Sequence, residues 1–224
     1  MRHVKKIGGV FLNCGIFAVL LLGPACRLWW PRAWALLGVN FAAGMIALYV
    51  IPDELLRERS KGPLQKGQPT VDKVILIAFL LAFSAAVILI PLDVFRWHIL
   101  PPPGLAVAWV GLALFAAGWW ILARALVENA YAAVVVKMQK EREHHVVDTG
   151  PYRVVRHPMY SGFLPLLAGM ALWLGSYAAA IFAIVPLALL AVRILFEERF
   201  LRRELAGYAE YMSRTRFRLV PFVW

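Results

Sequence analysis

Acidic residues and thiols are both scarce in this sequence. Only 13 of its 224 residues are Asp or Glu, and only two, Cys14 and Cys26, are cysteines. Two thiols supply neither a disulfide framework nor a four-ligand metal site, so both read as packing residues in or beside an apolar segment. Charge of either sign is sparse, at 17% of the chain against 62% apolar. A soluble domain of this length cannot enclose so much apolar side chain. The chain therefore belongs in a bilayer, and it shows no internal repeat, low-complexity tract or separate soluble domain.

What charge there is leans one way. The formal net charge is +11, but the basic residues lie between apolar runs rather than on one soluble face. They read as retention charges on membrane loops, which excludes nucleic acid as the partner. Apolar runs near 7–26, 33–51, 74–92 and 104–123 each have about the 17–25 residues that a bilayer-crossing helix needs. The first, preceded by "RHVKK" and followed by "GPACRLWWPR", reads as a retained helix rather than a cleaved signal. From Met159 to Val192 no residue is charged. One helix of that length would overshoot the roughly 30 Å hydrocarbon core, so "LGSY" at 174–177 is expected to turn between two spans. The fold class predicted is all-α and polytopic, with about six transmembrane helices that end in a C-terminal hairpin. With six crossings, 21 of the 24 Lys and Arg fall on the side of the termini and only Arg27, Arg32 and Arg96 on the other. Both termini are then expected in the cytoplasm. Trp29, Trp30, Trp34, Trp97 and Trp173 sit near the opposite span ends, where an interfacial belt is expected. "PPP" at 101–103 reads as a rigid connector, and Pro165 and Pro186 as helix kinks.

Polar residues crowd the threshold of the hairpin. In "GPYRVVRHPMYSG" (150–162), Gly150-Pro151 signals a turn and Pro158 biases His157 away from helical geometry. A short structured lead-in should precede a helix that starts near Pro158. Arg153, Arg156 and the tyrosines suit an interfacial anchor binding lipid phosphate. A second polar group, Glu197 and Glu198, lies at the end of the last span, and a hairpin of nearly equal arms brings Arg156 and His157 near that pair. Helical pairing of Arg193 with Glu197 and of Glu198 with Arg202, at spacing four, is the bland alternative.

"HHVVDTGPYRVVRHPMYSG", then "EE" about forty residues later, then "GYAEYMSRTRFRLVP" resemble the integral membrane methyltransferases related to isoprenylcysteine carboxyl methyltransferase and phospholipid methyltransferases. The resemblance implies a cofactor-binding core over 131–224 that follows N-terminal transmembrane helices and a cytoplasmic loop over 1–130, and S-adenosylmethionine as cofactor. Carried over residue by residue, the matching positions are His144, Tyr152, Arg156, His157, Tyr160, Glu197 and Glu198; His144, Tyr152, His157, Tyr160, Glu197 and Glu198 would then hold the cofactor, with Val146 as an apolar wall. Arg156 and Glu198 would then be catalytic, orienting the acceptor or taking its proton. "PDELLRERS" and "TVDKV" resemble the cytoplasmic loop of bacterial members. A zwitterionic, cationic cofactor with a flat base wants carboxylates, a cation and an apolar or aromatic wall, which these residue types supply. The partner implied is a membrane lipid or lipophilic small molecule. His144-His145 without a third ligand carries no metal site. Two other readings stand beside this one. Membrane reductases of similar outline bind a nicotinamide cofactor but have "PNY" or "RHxNY" where this chain has "RHPMY"; the other reading is a non-catalytic membrane scaffold.

Overall fold

A computed structural model describes residues 2–137 and 139–224, with the side chains of residues 2–5 and 140 outside the description. Arg2, Lys5 and Lys140 of the charge asymmetry are among the latter. The described chain is helical throughout, without a strand. Its elements are α1 (Arg2–Ala25), α2 (Pro31–Val50), α3 (Asp53–Arg59), α4 (Thr70–Leu92), α5 (Leu105–Glu128), α6 (Pro158–Leu174), α7 (Tyr177–Phe182), α8 (Ile184–Glu204) and α9 (Tyr208–Arg214). By length and composition, five stretches are apolar and long enough to cross a membrane: Lys6–Ala25, Pro31–Val50, Thr70–Trp97, Leu105–Glu128 and Tyr177–Glu204. α6 is a sixth apolar helix of 17 residues, so the six apolar segments expected from the sequence are all present. The third runs past its expected end, because a π-helical turn, Asp93–Trp97, continues α4 until His98 turns left-handed.

α5 and α6 share the largest helix–helix contact in the molecule, and small residues explain it. A Cβ on Gly118 would stand 2.8 Å from the Gly162 carbonyl oxygen, and one on Gly169 would stand 2.4 Å from the Phe115 nitrogen. The two backbones therefore touch. In lipid, where apolar side chains gain nothing by leaving the solvent, such close van der Waals packing is what holds helices together. The core along this seam contains Phe115, Leu122, Leu166, Leu167, Met170 and Leu174, with Leu21, Leu36 and Ile90 closing it from α1, α2 and α4.

The expected turn at 174–177 is present and locked. Gly175 takes φ 104°, which favours glycine. The Ser176 hydroxyl accepts from the Ala179 amide at 2.9 Å and donates to the buried Asp93 at 2.6 Å. Pro186 has no N–H to offer the Phe182 carbonyl, and the helix is interrupted at Ala183, between α7 and α8. Pro165 lies inside an unbroken α6. The tryptophan belt is only partly as expected. Trp29, Trp34 and Trp97 are exposed, but Trp30 and Trp173 are buried. Trp30 packs edge-on against Phe95, and the Trp173 indole donates to the Arg32 carbonyl at 2.7 Å. These two rings staple span ends together instead of facing the interface.

Candidate active site

The polar end of the bundle gathers the starts of α4 and α6, the end of α8, the helix α3, the loop from Asn129 to Thr149 and the C-terminal tail. The hairpin brings α6's start and α8's end together, as its equal arms require. Arg156 Nε donates to Glu198 Oε1 at 2.6 Å, His157 Nε2 lies 3.3 Å from the same oxygen, and Arg218 Nε donates to Glu198 Oε2 at 2.9 Å. Both oxygens of Glu198 are thus engaged. Arg156 is further spent on the carbonyls of Thr215 and Arg216, at 2.7 and 2.8 Å. The lead-in is pinned from the far end of the chain, where the Arg156 and His157 amides donate to the Phe217 and Arg218 carbonyls, both at 2.9 Å. Gly150–Arg153 forms a 3-10 turn, and α6 begins at Pro158. Arg153 stays exposed, while Tyr152, Arg156, His157 and Tyr160 are buried.

The spacing-four pairs are absent. Arg193 bonds Asp72 rather than Glu197, with Nε to Oδ1 at 2.8 Å, while its Nη2 donates to the Val134 carbonyl at 2.6 Å. Glu198 pairs across the hairpin and with the tail, not with Arg202. A buried carboxylate gains more from desolvated guanidiniums on facing elements than from a solvated one on its own helix. Asp72 also accepts from Gln68 at 2.7 Å and from the Val136 amide at 3.1 Å, so it fastens the loop to α4 and α8.

Between these locks lies a cavity of about 100 Å³. Of the residues singled out from the sequence, His144, Val146, Tyr152, Arg156, His157, Tyr160 and Glu197 line it, and Glu198 stands behind Arg156 and His157. Glu197 is held by the Tyr160 hydroxyl, which donates to it at 2.8 Å. The Tyr160 ring stacks on His157, with centroids 5.6 Å apart and planes 9° apart. His144 stacks on Tyr131 at 4.5 Å, and its Nδ1 is buried without a partner. Burial, assisted by His145 and Arg142, lowers the His144 pKa to about 4, so near neutral pH the ring is an uncharged, unsatisfied face on the cavity. Burial likewise raises Tyr152, Tyr208 and Tyr211 above the ordinary tyrosine value, which keeps them protonated. Among the described residues no group of three or more His, Cys, Asp or Glu is gathered for a metal ion.

Sequence reasoning missed several wall residues. Tyr131, Asn129, Leu205, Tyr208 and Tyr211 all line the cavity. Tyr208 and Tyr211 sit inside the quoted "GYAEY", where a helical turn between two tyrosines was the available signal. Tyr131 had none, because its stacking partner lies across an irregular loop.

The donor set fits S-adenosylmethionine. Glu197 makes no direct ion pair among the described residues, with Arg193 as a more distant electrostatic neighbour, the Tyr131–His144 pair offers a flat surface with one orphaned nitrogen, and Val146 and Leu205 are apolar walls. The space does not yet suffice, because ligand pockets run to roughly 300–1,000 Å³.

Residues 106–206 match the family model "Phospholipid methyltransferase". Among curated proteins, the chain is 38% identical over 91 residues to protein-S-isoprenylcysteine O-methyltransferase B of Arabidopsis thaliana, covering 40% of this chain and 46% of that one. It is 33% identical over 131 residues to the A protein of the same plant, 54% of this chain and 64% of the relative. A probable protein-S-isoprenylcysteine O-methyltransferase of Oryza sativa subsp. indica is 32% identical over 120 residues, 52% and 62% respectively. The chain thus spans between about half and just under two thirds of the length of these relatives. The stretch that builds α5, the hairpin and most of the cavity wall is thus similar to the phospholipid methyltransferase family model and to plant protein-S-isoprenylcysteine O-methyltransferases, the same resemblance that its motifs carry.

Proposed function

We propose that the protein is an S-adenosylmethionine-dependent membrane methyltransferase whose acceptor is lipophilic and is reached at the cytoplasmic leaflet. The observation that carries this reading is the cavity itself. A carboxylate held by a tyrosine hydroxyl and free of a direct ion pair among the described residues, a stacked ring pair with an orphaned nitrogen and apolar walls converge at the end of a helical hairpin that lies within the family-matched stretch. The cofactor would supply an electrophilic methyl on a sulfonium whose positive charge is lost on transfer. Glu197 would stabilise that positive charge, and Tyr160 holds Glu197 in place. The Tyr131–His144 stack would offer the base a flat face, and Val146, Leu205 and Met159 would exclude water, so alignment and partial dryness do the catalytic work. Arg156 would orient the acceptor from the cavity wall. Glu198 acts through Arg156 and His157, whose side chains it fixes.

A second cavity of about 360 Å³ supports a lipophilic acceptor. It opens between the start of α4 and the end of α8, is walled by Val71, Phe196 and Phe200, and shares Val136 and Glu197 with the first. A lipid tail lying there would present its head to Glu197. The orientation rests on charge, because the polar end bears most of the basic residues. Since the first cavity is narrower than a nucleoside, the loop from Asn129 to Thr149 must shift outward when the cofactor enters. Thermal melts of the purified protein test the reading. S-adenosylhomocysteine raises the melting temperature and NADPH does not; stabilisation by NADPH alone would favour a reductase, and stabilisation by neither a scaffold.

A further inference from the structure

Among the described residues, the cations beside the cavity are paired, with one exception. Arg156 and Arg218 share Glu198, Arg193 has Asp72, Lys137 pairs with Glu58, and Arg142 pairs with Glu54 at 3.0 Å. Arg59, the last residue of α3, has no carboxylate within ion-pair distance among the described residues. It is nevertheless half-buried. Its Nη1 donates to the Ala132 carbonyl at 2.8 Å and touches the Met159 sulfur at 3.5 Å, and its electrostatic neighbours are Tyr160, Tyr152 and Arg193. Ala132, Met159, Tyr152 and Tyr160 all line the cavity, so the guanidinium stands directly behind that wall. A desolvated cation without a counter-charge is costly, and burial accordingly lowers the Arg59 pKa. The wall in front of it includes the loop that must move to admit a nucleoside. Once Ala132 shifts, the planar fork faces the enlarged cavity, opposite in sign to Glu197.

We propose that Arg59 binds a carboxylate inside this cavity. It thereby brings a residue from outside the family-matched stretch into the active site. The carboxylate is either the one on the cofactor's amino-acid arm or the one on an acid acceptor, and Arg59 and Glu197, neither of them in a direct ion pair among the described residues, together complement a zwitterion. Bidentate capture by guanidinium is geometrically specific and charge-assisted. This inference rests on the methyl-transfer reading, and the experiment separates the two. Binding of S-adenosylhomocysteine and of 5′-methylthioadenosine, which lacks the carboxylate, is measured on the full chain and on Arg59→Gln, Arg59→Lys and the exposed neighbour Arg57→Gln. No binding of either nucleoside by the unaltered chain defeats the methyl-transfer reading itself. If the carboxylate belongs to the cofactor, Arg59→Gln weakens S-adenosylhomocysteine about tenfold or more while methylthioadenosine binds as before, Arg59→Lys recovers part of the loss and Arg57→Gln is neutral. If it belongs to the acceptor, both nucleosides bind normally and the KM for N-acetyl-S-farnesylcysteine rises about tenfold in Arg59→Gln. The melting temperature of ligand-free Arg59→Gln stays level or rises, because an uncompensated charge has been removed. A lowered melting temperature with every affinity and KM unchanged would make Arg59 a structural tie to Ala132 and overturn the proposal.

Discussion

Two adjacent glutamates at the end of α8 do different work, because neighbouring positions on a helix point about 100° apart. Glu198 is saturated by Arg156, His157 and Arg218, whereas Glu197 accepts one hydrogen bond, from the Tyr160 hydroxyl, among the described residues and faces the cavity. Glu197→Gln keeps the shape and removes the charge, so S-adenosylmethionine should bind about tenfold more weakly with little change in melting temperature. Glu198→Gln should instead lower the melting temperature, since two guanidiniums lose their counter-charge. Equal effects of the two changes on affinity, with neither affecting stability, would contradict this division. His144 supplies a pH test. Its folded pKa is about 4, against about 6.5 in an unfolded chain. Between those values the unfolded chain takes up a proton that the folded chain refuses. This contribution to stability is therefore complete above about pH 6.5 and lost as pH falls towards 4. Melts in detergent from pH 7 down to 4.5 should show His144→Gln losing less on acidification than the parent, and an identical slope in both would be evidence against it.

At the scale of elements, the α5–α6 seam positions the lead-in to the site. Gly118→Leu forces a side chain into the Gly162 carbonyl and the Leu166 backbone, so it should destabilise by about 2 kcal/mol or more. Gly38→Leu, where nothing lies within 4 Å, serves as the neutral control. Hydrogen exchange should divide the polar end into two kinds of segment. The amides of Arg156 and His157 are bonded to the tail and should exchange slowly with or without ligand. Residues 144–149 should slow only when S-adenosylhomocysteine binds, and the turn at 174–177 should be indifferent. Protection of 144–149 that is already maximal without ligand would mean that the loop does not open. The hairpin was legible because a charge-free run too long for one span must fold back, and fold-back alone brings Arg156 and His157 to the glutamate pair. The partners of those residues were less legible. Arg193 with Asp72, Arg218 with Glu198 and the tail carbonyls with the lead-in amides join residues far apart in sequence, and local spacing rules favour nearer partners that the structure does not use.

Over the whole molecule, apolar length sets the six helical segments and charge sets their orientation. A reporter fused after Trp224 should be cytoplasmic, given 21 of 24 basic residues on that side of the expected topology; a reporter on the opposite face would overturn the orientation. The C-terminal motifs pointed to the polar end of the hairpin, but they gave no hint that α3 approaches it. The "PDELLRERS" segment reads as an ordinary polar loop until Arg59 is seen behind Ala132 and Met159. The central claim is that this cavity transfers a methyl group to a lipophilic acceptor. The most direct measurement incubates the purified protein with methyl-labelled S-adenosylmethionine and a membrane lipid extract, then recovers label from the lipid phase. The account predicts label in a discrete lipophilic product, strongly reduced by Glu197→Gln and suppressed by S-adenosylhomocysteine. Label confined to the aqueous phase, or an identical yield from the Glu197→Gln protein, would contradict it.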